Sequence, residues 1–440
     1  MHPVVAAFPS LDDLLGQFRD LAQGHPGQVR LFSYGYSHRG EALLALSLGS
    51  GPSHVLAYAF PQPDEPLGGV ALLYLARRLL REGELLDRST WLLLPCVDPD
   101  GARLNERWST VPLDLATYAR QHFRPPEGEQ VEWSFPSADP SWPWSCPLPE
   151  TRALATLIEE ARPDLLLPLH NSLLGGAYAF LSAGAAGLAS CLPALWEACG
   201  VPTHLGEAEL PFAEILAAGV YQLPGLREID EALSSQGVAD PAGLLQCGAP
   251  AYEYAARFGE PLVVVPELPL FVVAGIDDGR PSDFSRGELL GQALAGEQAA
   301  FAGWLALYEQ AEPFLGPGNP YLRALQAHRR VAPVLLAATA RWLETDPALG
   351  RPAGRAEVAD GLRVAPYMDL LPLGLLVQAL EAADEGPAPA GRDSLLAQAE
   401  SCLEQGLAEA LSALDAYSLP IASLIEVLVE MTVTAGRLCL

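Results

Sequence analysis

The chain has no lysine. All 26 of its basic residues are arginine, set against 54 Asp and Glu, and the net charge is −28. No basic stripe is available to neutralise phosphates, so nucleic-acid binding is disfavoured. Arginine as the only basic residue, with 40 Gly, 40 Pro and much Ala and Leu, reads as compositional bias rather than function. Half the residues are hydrophobic, yet no uninterrupted apolar run approaches the ~20 residues that a membrane span needs. The first nine residues, Met1 to Pro9, have neither a basic start nor an adequate apolar core for a signal peptide, so the expected location is the cytoplasm. The seven cysteines are scattered and include no Cys-x-x-Cys pair. That spacing indicates neither a zinc ribbon nor a disulfide framework, and reduced thiols are expected. No repeat of fixed period is evident.

The stretch that organises the rest is residues 59–69, Ala-Phe-Pro-Gln-Pro-Asp-Glu-Pro-Leu-Gly-Gly. Residues 54–60 before it form a short apolar run that predicts a buried strand, and residues 70–80 after it carry helical spacing. A strand, a turn bearing carboxylates and then a helix is the place where α/β folds put chemistry. The same pattern recurs. Residues 90–96 predict a strand followed by Asp98-Pro99-Asp100-Gly101. Residues 150–162 predict a helix, and 163–172 a strand ending in His170-Asn171. Residues 262–269 predict a β-branched strand that ends at Glu267. Further elements are a helix over 11–22 capped by Ser10, strands over 28–37 and 42–47, and one over 175–180.

These motifs, in this order, resemble the zinc carboxypeptidases (the carboxypeptidase A-like family). The resemblance covers roughly residues 10–311. The family's first metal motif, His-x-x-Glu, stands here as Gln62-Pro63-Asp64-Glu65, and its Asn-Pro-Asp-Gly turn stands as Asp98 to Gly101. The resemblance implies Gln62, Glu65 and His170 as metal ligands and Glu267 as the general base. The metal is one zinc ion, held less tightly because a Gln amide replaces an imidazole. Asp64, His54 and His122 are candidate substitutes for that ligand. Arg107, Arg120 and Arg124 are the candidates for binding a substrate carboxylate. Tyr254, with Tyr221 and Tyr252 as alternatives, stands for the family's substrate-facing tyrosine.

The implied fold class is α/β: an α/β/α sandwich with a mixed, mostly parallel central sheet, followed by an all-helical region. The expected domains are 1–311, carboxypeptidase-like, and 312–440, a bundle of four or five helices that could also carry a homo-oligomer contact. The implied activity is hydrolysis of a peptide or amide bond by metal-activated water. The alternative is a metal-free relative that binds peptide-like ligands without cleaving them, which Gln62 favours. Residues 103–143 show no clear periodicity and read as loops around a pocket, their tryptophans more as packing than as ligand contacts.

Overall fold

A computed structural model describes residues 6–345, 347–383 and 391–439. Its centre is a mixed sheet of nine strands, taken here in chain order. They are β1 (Val29–Tyr36), β2 (Ala42–Leu48), β3 (Ser53–Ala59), β4 (Ser89–Leu94), β5 (Leu165–Leu169), β6 (Tyr178–Leu181), β7 (Ile215–Ala217), β8 (Val220–Gln222) and β9 (Leu262–Glu267). Their order across the sheet is β1-β2-β4-β3-β5-β9-β6-β8-β7. The central run β4-β3-β5-β9 is parallel. The β1, β2 and β7 ribbons flanking it pair antiparallel, as does β6 with β9. Antiparallel pairing is thus as frequent as parallel, and the sheet is more evenly mixed than the sequence suggested.

Both faces of the sheet are covered, because the central strands are apolar on both sides. Val55, Ala57 and Ala59 of β3 point into one core, with helices Leu11–Gly24 and Leu67–Glu82. Leu56 and Tyr58 point into the other, with helix Pro149–Ala161. The alternation follows from the two-residue period of a strand. Helix Ile421–Cys439, near the end of the chain, lies in the first of these layers: its Leu424, Leu428 and Val433 join the core of β3 and β5. In a separate three-stranded sheet, strand Phe271–Val273 pairs with Ala416–Ser418, a second tie between the late part of the chain and the earlier part.

Residues 103–143 are more ordered than their lack of periodicity suggested. They contain most of helix Pro99–Ser109, which Asp98 caps, and helix Leu115–Gln121, capped by Asp114. Each cap is a carboxylate accepting a backbone N–H that the first turn leaves unpaired. Trp108 and Trp142 are buried, in keeping with a packing role. The two short strands β7 and β8, at three residues each, are too short to show a period in the sequence. Beyond residue 311 the long helices are Leu322–Thr345, Leu371–Glu381, Arg392–Leu414 and Ile421–Cys439. None of the described helices is long and apolar enough to cross a membrane.

Candidate active site

Three neighbouring parallel strands deliver the candidate residues to one edge of the sheet. The register sets Ala59 of β3 opposite Leu169 of β5, and His170 bridges to Glu267 at the end of β9. The residues just after β3 and β5 and the last residue of β9 therefore emerge side by side, at the carboxyl ends of the strands. Phe60 makes the turn after β3 in a left-handed backbone conformation (φ 54°), which is costly for a bulky side chain. The Gln62–Glu65 turn follows, closed by Glu65 N–H donating to the Gln62 carbonyl at 3.1 Å. Helix Leu67–Glu82 then starts behind Pro66, which has no side chain able to cap. Asn171 supplies the missing acceptor, its Oδ1 taking the Leu67 N–H at 3.1 Å. Gly68 allows this close approach, since a Cβ there would come within 2.6 Å of the Leu169 carbonyl oxygen.

The centre of the site is His170, buried and flanked by carboxylates. Its Nε2 donates to Glu132 Oε2 at 2.7 Å, and its Nδ1 lies 2.8 Å from Glu65 Oε2 and 3.6 Å from Glu267 Oε1. Nδ1 and Glu65 Oε2 are close but outside hydrogen-bond geometry, and neither has another partner. Behind this trio, Tyr58 donates to Glu132 Oε1 at 2.8 Å. Arg124 contacts Asp64 at 3.0 Å and Glu65 Oε1 at 3.1 Å, and Tyr118 donates to Asp64 at 2.7 Å.

Burial and charge pull these groups apart. Burial alone would discharge His170, but Glu132 and Glu65 outweigh it and hold its pKa well above the usual value. Burial raises Glu267 far above a normal carboxyl, with His170 opposing and Glu65 and Glu209 adding to the shift. Burial also raises Glu65, although His170 and Arg124 pull the other way. Asp64 is the exception: burial opposes its charge, yet Arg124 and Tyr118 prevail and keep it below its ordinary value.

Gln62, Asp64, Glu65, Arg124, Asn171 and Glu267 line one cavity of 370 Å³, with His170 beneath it. The structure thus brings together Gln62, Glu65, His170, Glu267 and Arg124. Asp64, a candidate substitute ligand, lines the same cavity but is bound by Arg124 and Tyr118; several other candidates lie elsewhere. Arg107 faces outward from its helix and lies 3.9 Å from Glu381. Arg120 lies 3.5 Å from Glu404; the buried face of its short helix carries Leu115, Tyr118 and Ala119 instead. Tyr254 packs in the opposite core and donates to the exposed Glu159 at its edge, and its pKa is raised to about 12 by burial and that carboxylate. His54 sits at the starting end of β3, bonded to the Ala161 carbonyl, far from the strand ends that form the site. His122 does reach the cavity wall.

Sequence reasoning missed Glu132, which fixes the far side of His170. It lies in the aromatic stretch Val131-Glu132-Trp133, and a lone charge among apolar residues is the only sign of it. It also missed His204, Glu207, Glu209 and Asp360, which form the opposite wall of the cavity. Glu207 is tied to Arg286, and His204 Nδ1 accepts the Gly176 N–H at 3.3 Å.

The donor chemistry can be compared with what zinc requires. Among the described residues, no group of three or more His, Cys, Asp and Glu side chains is arranged to hold a metal ion. Two donors do fit: Glu65 Oε2 and His170 Nδ1 are buried, unpartnered and adjacent. A carboxylate behind the distal nitrogen of the imidazole, here Glu132, is what a metal-bound histidine ordinarily has. The two donors are one fewer than the three protein ligands that a catalytic zinc site takes. Gln62, whose amide is neutral, lines the same cavity as Glu65.

A mixed α/β sheet with its polar residues gathered at the ends of parallel strands defines the class of this protein. The model of the zinc carboxypeptidase family matches residues 15–173, a span that includes Gln62, Glu65 and His170 and stops short of Glu267. The resemblance read from the motifs therefore holds over those residues. Among solved structures, the chain is similar to a metallo-carboxypeptidase from Burkholderia cenocepacia at 15% identity and TM-score 0.38, covering 59% of this chain and 60% of that one. It is similar to carboxypeptidase A from Helicoverpa armigera at 15% identity and TM-score 0.37, covering 60% and 65%. A metallo-carboxypeptidase from Pseudomonas aeruginosa, in complex with (2-guanidinoethylmercapto)succinic acid, is similar at 18% identity and TM-score 0.36, covering 58% and 59%. The chain thus spans about three fifths of the length of these carboxypeptidases. No curated protein matches it.

Proposed function

We propose that this chain is a carboxypeptidase-type hydrolase of peptide or amide bonds, with a zinc site weakened at one ligand. Glu65, His170 and the Gln62 amide oxygen would hold the ion. Zinc bound there supplies Lewis acidity and a water of lowered pKa. The observation that carries the reading is the pair of buried, unpartnered atoms Glu65 Oε2 and His170 Nδ1, 2.8 Å apart and beside Glu267. Glu132 holds His170 Nε2 and so leaves Nδ1 facing Glu65 and Glu267. Arg124 occupies Oε1 of Glu65 and leaves Oε2 free. Glu267, with a pKa raised by burial, is suited to take a proton from water at its carboxylate and return it to a leaving nitrogen. Substrate enters through the 370 Å³ cavity, past Gln62 and Arg124.

A second reading is a metal-free binder of peptide-like ligands. Gln62 favours it, and so does the charge balance, because a protonated His170 between Glu65 and Glu132 needs no metal to be stable. Zinc content after dialysis separates the two, measured on the natural protein and on Gln62→His. Near-stoichiometric zinc in the natural protein, bound more than ~10-fold tighter in the variant, is the expected result for the hydrolase. Zinc in the variant alone would establish the binder. Zinc in neither would overturn the assignment of ligands.

A further inference from the structure

A second cavity, of 470 Å³, is larger than the one at the strand ends. Most of its lining comes from helices Arg286–Ala311, Leu322–Thr345 and Leu371–Glu381 and from Met368 and Asp369, beyond the span that matches the carboxypeptidase family, and the rest from residues 122–130 within that span. Its base is aromatic. The rings of Trp304 and His328 meet edge to face at 4.6 Å, and Phe301 lies 5.8 Å from Trp304 and 5.6 Å from His328. Burial lowers the His328 pKa to about 4, so the ring is neutral at pH 7. Leucine, valine and alanine complete the walls. The body of this cavity suits an apolar group of drug or side-chain size.

Its charge is of one sign. Glu127, Glu297 and Asp369 all line it. Each carries a carboxylate with neither a side-chain hydrogen bond nor an ion pair among the described residues. The one arginine in the lining, Arg124, is already committed to Asp64 and Glu65. Burial raises the pKa of Asp369 to about 7, and Glu297 adds to the shift; two partly buried carboxylates facing each other without a cation leave a charge to be matched. The cavity also has a connection. His122, Arg124, Met368 and Leu371 line both it and the cavity of the candidate active site. At that shared wall His122 is 4% exposed, and its Nδ1 has no partner.

We infer that the helical cavity is a binding pocket for an apolar or aromatic group bearing a positive charge, as in an arylalkylamine or a peptide with a long basic side chain, entering alongside the strand-end site. The apolar body stacks on Trp304 and Phe301. Its cation meets Glu297 and Asp369, and a donor on the ligand near the shared wall satisfies His122 Nδ1. Trp304, Phe301, Glu297 and Asp369 supply most of this preference, with His122 and Glu127 completing it, so it belongs mainly to the late helices and not to the sheet. It rests on the proposed function only in treating both cavities as parts of one ligand site. Binding itself requires no metal.

The test is calorimetry of the full-length protein with three probes of one shape: 4-phenylbutylamine, 4-phenylbutanol and 4-phenylbutyrate. The amine is expected to bind at least tenfold tighter than the alcohol, and the acid weakest. Glu297→Gln with Asp369→Asn should bring the amine down to the level of the alcohol. Ala300→Trp, and separately Ala332→Phe from the facing helix, should fill the cavity and abolish binding of both. Circular dichroism and the melting temperature establish that each variant is folded, and two fillings from different helices guard against the failure of one. Equal affinity for the three probes, no binding of the amine, or binding that survives both fillings would overturn the proposal. Zinc content plays no part in this readout, so a chain that fails to bind metal can still bind the amine.

Discussion

The two cavities share four wall residues but are built differently. The one at the strand ends gathers its groups from three adjacent parallel strands and holds them with charge: His170 between Glu65 and Glu132, Arg124 across Asp64 and Glu65. The one among the helices is held by packing, and among the described residues its carboxylates form no ion pair. The first is a preorganised arrangement in which every strong charge but one has an opposite neighbour. The second has room and unmatched charge. The difference suggests that chemistry belongs to the sheet and selection to the helices.

The largest effect that would break this comparison comes from His170→Ala. Removing the imidazole leaves Glu65 and Glu132 buried without their shared cation. Breaking a buried ion pair from one side typically costs about 3–5 kcal/mol. We expect a loss of that order in chemical denaturation at pH 7. A loss under ~1 kcal/mol would mean that the charges around His170 are solvated and that the site is not the preorganised one described.

Leu325→Ala tests the other cavity. Leu325 is fully buried and lines it. Truncation of a buried leucine costs about 2–5 kcal/mol, and a void already adjoins this one, so we expect the low end, about 2 kcal/mol. Binding of 4-phenylbutylamine should weaken only modestly, since Trp304 and Phe301 remain. If Leu325→Ala proves as costly as His170→Ala, the helical cavity is as tightly determined as the strand-end site and the contrast fails.

The same contrast explains what could be read in the sequence. The residues Glu65, His170 and Glu267 were legible because each follows a short apolar run, and a strand places the residue after it at a known edge. Local pattern and global position coincide there. Arg124 was legible only as one of three arginines, because it follows helix Leu115–Gln121 in an irregular segment whose course no local pattern gives. Glu132 was not legible: it reaches His170 from a short 3₁₀ turn, Val131–Trp133, whose position depends on packing against Tyr58 and Thr151. Asp360 and the helical cavity were beyond reach for the same reason. Helical periodicity shows that a face is buried and says nothing of which helices meet, and residue 360 approaches residue 204 only through the tertiary fold.

The smallest expected effect concerns a third buried carboxyl. Asp98 stands where the family has Asn, caps helix Pro99–Ser109 through Gly101 N–H at 2.9 Å, and is 7% exposed. Asp64 has Arg124 to keep it charged; Asp98 has no such partner, and burial, with Glu150 and Asp100 nearby, raises its pKa to about 7. The folded-state value lies above the unfolded one. The folded protein therefore keeps a proton that the unfolded chain loses first, so the stability from this group is full at low pH and is lost as pH rises through about 7. Asn keeps the capping acceptor and carries no charge. Asp98→Asn should stabilise the protein at pH 8 by on the order of 1 kcal/mol, and the gain should shrink toward zero near pH 4. Melting temperatures at the two pH values measure it. An equal shift at both would mean that the gain, if any, comes from the cap and not from the charge. An uncompensated carboxylate in the fold would then cost no more than a compensated one, contrary to the distinction drawn between the two cavities.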